Sequence, residues 1–102
     1  MSNTFELLAD ETRRSLVEAL GEGEHSVGEL VDRVEMAQPA VSKQLRILRE
    51  AGLASVRKEG RRRIYRLQPQ GLKELDTWLQ PFRAAWERRV DALEEVLSST
   101  ED

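Results

Sequence analysis

The sequence predicts a mainly α-helical domain with a small β-hairpin, arranged as a winged helix-turn-helix. Two short helical segments separated by a tight turn, followed directly by a glycine-centred hairpin, indicate this arrangement. Positive charge is also concentrated there: residues 43–66 hold nine lysines and arginines against two acids, a local net charge of +7, in a chain whose net charge is −3. An acidic chain with one basic segment presents a local field for a polyanion.

Length and composition limit the class of protein. The 102 residues are expected to form a single domain over 1–102. The chain has no cysteine and one histidine, which excludes disulfides, thiolate metal sites and cysteine nucleophiles. The residues MSNTFELLAD have neither the basic nor the apolar segment of a signal peptide, so none is expected. The sequence contains no apolar run of ~20 residues, no glycine-rich phosphate loop and no Ser/His/acid set. We therefore expect a cytoplasmic protein that is not an enzyme and that has no membrane association, metal or cofactor.

The N-terminal region, about 3–21, is predicted to be helical. Its leucines are spaced for an apolar stripe that is interrupted near Asp10, and Asp10 is a suitable N-cap for a second helix. Gly21 and Gly23 are expected to end that helix and form a loop.

The central region contains the two helices of the motif. Ser26 and Glu29 have the S-x-x-E spacing of a capping box, which predicts a helix start at Ser26. Pro39 suits the first turn of the second helix, because proline lacks an N–H that would be unpaired there. Gly52 is expected to follow the end of this helix. The inward face of the second helix comprises Val41, Leu45 and Leu48, at positions i, i+4 and i+7.

The remaining residues predict a wing and a long last helix. In the hairpin, residues 53–68, β-forming side chains flank Glu59 and Gly60, which are expected to supply the turn. The final region, about 69–97, has apolar and aromatic residues that step by three and four. Pro81 is expected to break or kink this helix, or to start a new one.

The second helix of such a motif lies in the major groove of DNA, where its outward residues meet base edges. Arg46 is predicted to pair bidentately with guanine, whereas Lys43 and Arg49 are expected to reach phosphates. The arginines at the hairpin tip suit a backbone or minor-groove contact, and Glu59 is expected to hold a neighbouring arginine. The predicted DNA-binding residues are Gln38, Pro39, Ser42, Lys43, Gln44, Arg46, Arg49, Arg57, Lys58, Arg61, Arg62 and Arg63.

Four of the five aromatic residues lie outside the DNA-binding core, which is predicted over 26–68. A winged helix of this length has no layer of its own to cover a long last helix, so large aromatics there are typical of a dimer interface. Helices at about 3–9 and 69–97 are predicted to pair two copies, and an aromatic-lined effector pocket is compatible with that interface. The predicted interface residues are Phe5, Leu8, Leu75, Trp78, Leu79, Phe82, Trp86, Leu93 and Leu97.

The chain resembles the ArsR family of small bacterial winged-helix repressors over nearly its full length. The matching segments are LADETRRSLVEAL before the motif, ELVDRVEMAQPAVSKQLRILREAGL through it and VRKEGRRRIYRL in the wing. LDTWLQPFRAAWERRVDALEEVL resembles a subgroup with an aromatic-rich last helix. The resemblance implies a homodimeric repressor that binds double-stranded DNA at a palindromic operator, with an effector that the sequence does not identify.

The chain departs from the metal-sensing members of that family. Those members carry a Cys-x-Cys pair where this chain has Ser26 and Gly28, neither of which binds a soft metal. The resemblance is therefore to a subgroup that lacks the cysteine metal motif.

A winged-helix module that binds another protein and never touches DNA is the alternative interpretation. The outward surface of the second helix favours DNA, because its amide, hydroxyl and guanidinium groups match base edges and phosphates. Retardation of genomic fragments in a gel at low salt separates the two functions.

Overall fold

The structure, a computed structural model, describes residues 4–100 and has the mainly helical winged architecture that the sequence predicts. Within that range the helices are α1 (Thr4–Ala9), α2 (Glu11–Glu22), α3 (Val27–Val34), α4 (Gln38–Glu50) and α5 (Lys73–Thr100). The strands are β1 (His25–Ser26), β2 (Ala54–Glu59) and β3 (Arg62–Leu67), and a 3-10 turn, Pro69–Leu72, precedes α5. Residue 3, where the first helix was expected to begin, lies outside the described residues.

The predicted helix starts are confirmed by their capping contacts. The Asp10 carboxylate accepts a hydrogen bond of 3.0 Å from the backbone N–H of Arg13 at the start of α2. At the start of α3, the Ser26 hydroxyl accepts from the Glu29 N–H (3.2 Å), and the Glu29 carboxylate accepts from the Ser26 N–H (3.0 Å). These reciprocal bonds form the expected capping box. Pro39 lies in the first turn of α4.

The end of α4 is closed by Gly52, as expected. Gly52 has a φ of +79°, in the left-handed region that a side chain disfavours. The N–H of Leu53 donates to the carbonyl of Leu48 (2.9 Å), and the N–H of Gly52 donates to the carbonyl of Arg49 (3.1 Å). This pair of bonds is a Schellman motif, which satisfies two helix-end carbonyls and directs the chain into β2.

Two expectations about helix ends are wrong. Helix α2 continues through Gly21, and Gly23 is the residue that caps it. Helix α5 continues through Pro81, so the expected break or new start there is wrong, whereas a kink within the continuous helix stays a prediction. Proline at this position removes only the hydrogen bond to the carbonyl of Thr77, and Thr77 is exposed, so water can satisfy that carbonyl.

The wing is a β-hairpin with a two-residue turn, and this turn lies one residue later than predicted. Strands β2 and β3 are antiparallel and pair in a register that places Glu59 opposite Arg62. Gly60 and Arg61 therefore form the turn, and Gly60 has a φ of +65°, which suits the turns that tight hairpins favour.

A third strand, which the sequence analysis did not predict, completes the sheet. Strand β1 pairs antiparallel with β3, with His25 opposite Tyr65 and Ser26 opposite Ile64, and the sheet order is β1-β3-β2. This pairing fixes the chain just before α3 against the wing.

The core lies where α2, α3, α4 and the start of β2 meet. Truncating a fully buried leucine in such a core typically lowers the free energy of unfolding by about 2–5 kcal/mol. Because α4 contributes three of the buried side chains, this packing holds α4 in a fixed orientation. No helix among the described residues is apolar over a sufficient length to cross a lipid bilayer. The largest completely buried side chains are Leu16, Leu30, Val41, Leu45, Leu48 and Leu53.

Candidate nucleic-acid interface

Helix α4 presents its polar and basic side chains on one exposed face. Its inward positions Val41, Leu45 and Leu48 are each 0% exposed, which fixes the rotation of the helix about its axis. The positions between them consequently point away from the core. The exposed residues of this face are Gln38, Pro39, Ser42, Lys43, Arg46 and Arg49.

An open groove of about 530 Å³ lies between this face of α4 and strand β3 of the wing. It brings together six predicted DNA-binding residues of α4 and Arg63 of the wing. Two further lining residues, Val27 and Tyr65, were not predicted. Tyr65 could have been found, because it lies two residues after Arg63 on the same strand and therefore shares its face. The lining residues are Val27, Gln38, Pro39, Ser42, Lys43, Arg46, Arg49, Arg63 and Tyr65.

Four cations line this groove without a protein partner. Within residues 4–98, the side chains of Lys43, Arg46, Arg49 and Arg63 form neither an ion pair nor a hydrogen bond. Unneutralised positive charges in one concave surface attract a polyanion and gain the most from binding one. We call these four residues the groove cations.

The arginines of the wing are divided between the two faces of the hairpin. Residues directly opposite each other in an antiparallel pair share a face, and faces alternate along each strand. Lys58 is opposite Arg63 and shares its face, which borders the groove, whereas Arg57 and Arg62 belong to the other face. Arg61 lies in the turn at the tip.

The two arginines of the outer face form ion pairs. Arg57 contacts the carboxylates of Glu24, at 2.6 Å, and Glu59, at 3.1 Å. Arg62 contacts the carboxylate of Glu29 at 3.0 Å. The expectation that Glu59 holds a neighbouring arginine is therefore confirmed. The hydrogen bond from Arg57 lowers the pKa of Glu24, and the same bond raises the pKa of Arg57.

Glu29 lies at the junction of α3, β1 and the wing. Its pKa is lowered to about 2, chiefly by the hydrogen bond from the backbone N–H of Ser26, then by the Ser26 hydroxyl and by His25. The Nδ1 atom of His25 lies 3.4 Å from the Glu29 carboxylate, and His25 itself is part of strand β1. Glu29 is thus a fixed negative charge beside the wing, in contact with the first residue of β3.

Gln44 is placed differently from the other predicted residues of α4. It is half-buried, and its amide oxygen accepts a hydrogen bond of 3.0 Å from Arg13 of α2. Arg13 also donates to the backbone carbonyl of Leu7, at 2.8 Å, and so links the end of α1 to α4. A DNA contact by Gln44 stays a prediction, and the structure places its side chain outside the groove.

The predicted dimer residues lie mostly on an exposed apolar stripe. Three residues of the predicted set, Leu8, Leu75 and Leu79, are half-buried. Two exposed residues, Val90 and Val96, were not in the predicted set, although their spacing fits the stripe. The stripe's large apolar side chains are between 38% and 58% exposed, and they are Phe5, Trp78, Phe82, Trp86, Val90, Leu93, Val96 and Leu97.

Aromatic contacts connect the two terminal helices. The ring of Phe5 in α1 meets that of Trp78 in α5 edge to face, with centroids 5.3 Å apart. Trp78 in turn lies 4.7 Å from Phe82, at a tilt of 44°. Such pairs typically contribute about 0.5–1.5 kcal/mol beyond area burial, so α1 and the first half of α5 form one surface.

In the part of the chain that the structure describes, no three histidine, aspartate or glutamate side chains come close enough together to hold a metal ion. The acids of the last helix, Asp91, Glu94 and Glu95, border a shallow surface depression together with Ser98.

A family model and individual regulatory proteins are similar to this chain. Residues 10–56, from the N-cap of α2 into β2, match the family described as "Bacterial regulatory protein, arsR family". The HTH-type transcriptional regulator Rv2034 of Mycobacterium tuberculosis is 40% identical over 98 residues, which cover 96% of this chain and 89% of that protein. The arsenical resistance operon repressor of Escherichia coli is 46% identical over 66 residues, covering 64% of this chain and 56% of the repressor.

Solved structures extend the similarity to the fold. The crystal structure of a "Possible transcriptional regulator for arsenical resistance" is 43% identical and has a TM-score of 0.73 over 80% of this chain and 85% of that one. The transcriptional repressor BigR from Xylella fastidiosa is 34% identical, with a TM-score of 0.63 over 76% of this chain and 81% of its own.

Proposed function

The chain belongs to the arsR family of bacterial regulatory proteins, and on this premise we propose that it is a homodimeric repressor that binds a palindromic operator. The family consists of DNA-binding transcriptional regulators and not of enzymes.

The groove between α4 and the wing is the observation that carries the proposal. Its four cations have no partner within the described residues: three lie on the exposed face of α4, which the buried core holds in a fixed rotation, and Arg63 lies on β3 of the wing. An α-helix fits the major groove of B-form DNA, and a wing beside it reaches the adjacent backbone. This combination supports insertion of α4 into the major groove of the duplex, with Arg63 of the wing beside a phosphate.

Individual roles follow from the chemistry of the exposed side chains. Arg46 is assigned to the O6 and N7 atoms of a guanine, and Gln38 and Ser42 to neighbouring base edges. Lys43 and Arg49 are assigned to phosphates. These roles divide the surface into groups that read sequence and groups that position the protein.

The wing tip is assigned a second contact with DNA. Lys58 and Arg61 lie at the exposed end of the hairpin, and within the described residues neither forms an ion pair. Arginine or lysine at the tip of a narrow ribbon suits the minor groove, where A·T tracts deepen the negative potential.

The exposed stripe on α1 and α5 supports the homodimer. Positions 78, 82, 86, 90 and 93 step by four, four, four and three residues, so they lie on one side of α5. Monomeric proteins rarely expose a contiguous apolar surface of this kind, and the same stripe on a second copy is its most direct complement.

Pairing through terminal helices fixes what the operator must look like. A two-fold symmetric dimer presents two α4 helices related by the same axis, and they must enter successive major grooves about 34 Å apart. The two half-sites are therefore inverted repeats whose centres are about one helical turn apart.

The experiment that tests DNA recognition compares three variants in a titration of a duplex selected from genomic fragments. Arg46→Ala is expected to weaken binding of that duplex by about 1–3 kcal/mol and to relax the preference at one base pair. Arg61→Ala is expected to weaken binding to all sequences alike and to reduce the slope of log K against log salt by roughly one. Arg88→Ala, which removes an equal charge from α5, is the control.

Equal affinities for Arg46→Ala, Arg61→Ala and the control at fixed salt would contradict this mode of docking. Repression itself is tested with a reporter gene downstream of the selected duplex. Wild type is expected to lower reporter expression, and Arg46→Ala is expected to restore it.

A further inference from the structure

Two of the four wing arginines at positions 57 and 61–63 form ion pairs with acids from outside the wing. Glu24, just before β1, contacts Arg57 at 2.6 Å, and Glu29, in the first turn of α3, contacts Arg62 at 3.0 Å. Each acid lies 33 residues from its arginine, so the fold creates these pairs and local sequence does not. The groove cations, by contrast, have no such partners among residues 4–98.

The two acids are fixed in place by the fold. Strand β1 follows Glu24 directly, and it is hydrogen-bonded to β3 of the wing. Glu29 is fixed by its capping bonds with Ser26. Hydrogen bonding lowers the pKa of both carboxyls, so both remain ionised at neutral pH.

These ion pairs are exposed and therefore exchangeable. The side chains of Arg57 and Glu24 are 49% and 45% exposed, and those of Arg62 and Glu29 are 61% and 52% exposed. Exposed pairs are weak because water and salt screen them. A phosphate diester offers an arginine an equivalent charge-assisted contact, so a duplex can displace the carboxylates.

We propose that Glu24 and Glu29 are electrostatic restraints on the wing, which hold Arg57 and Arg62 until DNA phosphates replace the carboxylates. The inference rests on the proposed function, because it requires that the wing contacts DNA. The acids lower the part of the affinity that does not depend on sequence, because they compete with the phosphates for the two arginines. Base contacts by α4 then account for a larger share of the free energy of operator binding.

The test measures the affinity of the full-length protein for a random-sequence duplex at low salt. Glu24→Gln is expected to tighten binding by about threefold to tenfold, as removal of a competing exposed ion pair implies. Glu22→Gln is the matched control, because Glu22 forms a similar exposed pair with Arg33 that joins α2 to α3 and does not involve the wing. The excess effect of Glu24→Gln over the control should shrink as salt is raised.

A second arm asks whether Glu24 acts through its arginine. In an Arg57→Gln background, Glu24→Gln should have no larger effect than Glu22→Gln, since the restrained cation is gone. Glu29→Gln should tighten binding in the same way as Glu24→Gln in the otherwise unaltered chain, because glutamine can still complete the capping box.

The outcomes separate this inference from the proposed function. Equal effects of Glu24→Gln and Glu22→Gln on a protein that binds duplex would overturn the restraint and leave DNA binding intact. An excess effect that persists in the Arg57→Gln background would also overturn it. Failure of the wild-type protein to bind any duplex would overturn both.

Discussion

At the scale of single residues, Glu29 shows how one side chain can join three parts of a small protein. Its carboxylate accepts the backbone N–H of Ser26, faces Nδ1 of His25 and pairs with Arg62. The contact with Ser26 caps the N-terminus of α3, the contact with His25 joins α3 to β1, and the contact with Arg62 joins α3 to the wing. The orientation of the wing relative to the helices is therefore set in part by one ionised group.

This residue predicts a pH dependence of stability. The pKa of Glu29 is lowered from its ordinary value of 4.5 to about 2 in the folded protein. The stabilisation is therefore complete above about pH 4.5, and it is lost as the pH falls toward 2, because protonation then favours the unfolded chain. Denaturant unfolding of wild type and Glu29→Gln should show a difference in unfolding free energy that shrinks over this interval.

Glu87→Gln is the control for that experiment, because Glu87 is exposed on α5 and forms no ion pair within the described residues. A gap between wild type and Glu29→Gln that stays constant from pH 6 to pH 2 would contradict the role assigned to Glu29.

Residue spacing predicted the outward face of α4 but not the partners of the residues around it. Helical periodicity with buried Val41 and Leu45 was sufficient to identify the outward residues of α4. The bond between Gln44 and Arg13, and the pairing of Glu24 with Arg57, join residues 31 and 33 positions apart. No local pattern encodes such contacts, because they depend on how separate elements pack.

At the scale of elements, the predictions that succeeded were those with local causes. Caps at Asp10 and Ser26 and the left-handed Gly52 act within one turn of their helices, and each is confirmed. Strand β1 was missed because two residues carry no periodic signal and its pairing partner is far along the chain. The break expected at Pro81 is absent because an exposed helix can tolerate one missing hydrogen bond.

A close approach between elements predicts that Gly71 cannot be enlarged. A Cβ atom at Gly71 would lie 2.6 Å from the carbonyl oxygen of Gly52 and 2.7 Å from Cδ2 of Leu53. The Gly71 carbonyl also accepts a hydrogen bond from Thr4 of α1, at 3.1 Å. Gly71→Ala is therefore expected to destabilise the protein by about 1–3 kcal/mol, as overpacking typically does, in a denaturant titration.

Gly21→Ala is the matched control for that substitution. Gly21 lies inside α2, and no atom lies within 4 Å of an added Cβ. The same change there should stabilise the protein by about 0.5–1 kcal/mol, because alanine favours helix more than glycine does. Similar effects of the two substitutions on the free energy of unfolding would contradict the close packing of the 3-10 turn against the end of α4.

At the scale of the whole molecule, charge and apolar surface are separated into two regions. Residues 43–66 carry a net charge of +7 in a chain of net charge −3, and they form the exposed face of α4 and the wing. The apolar stripe occupies α1 and α5, and the 28 residues of α5 span about 42 Å of a molecule that is 64 Å long. One region is suited to a polyanion and the other to a second copy of the chain.

The proposed dimer predicts that a charge placed in the stripe will separate the protomers. Trp86→Glu inserts a carboxylate at a side chain that is 53% exposed at the centre of the stripe. Loss of a central aromatic contact is expected to weaken dimerisation by about 2 kcal/mol or more, which light scattering after size-exclusion chromatography would detect. Gln80→Glu adds a charge to the opposite side of α5 and should leave the dimer intact. Equal dissociation constants for the two variants would place the interface elsewhere.

The most direct test of the central claim is the number of chains bound to one operator duplex, measured by sedimentation velocity at micromolar protein with a duplex selected for tight binding. We expect two chains on each duplex, and a dimer of the same chains in its absence. A complex that contains a single chain, with only single chains in the absence of DNA, would contradict the proposal that two copies pair through α1 and α5 to present two α4 helices to successive major grooves.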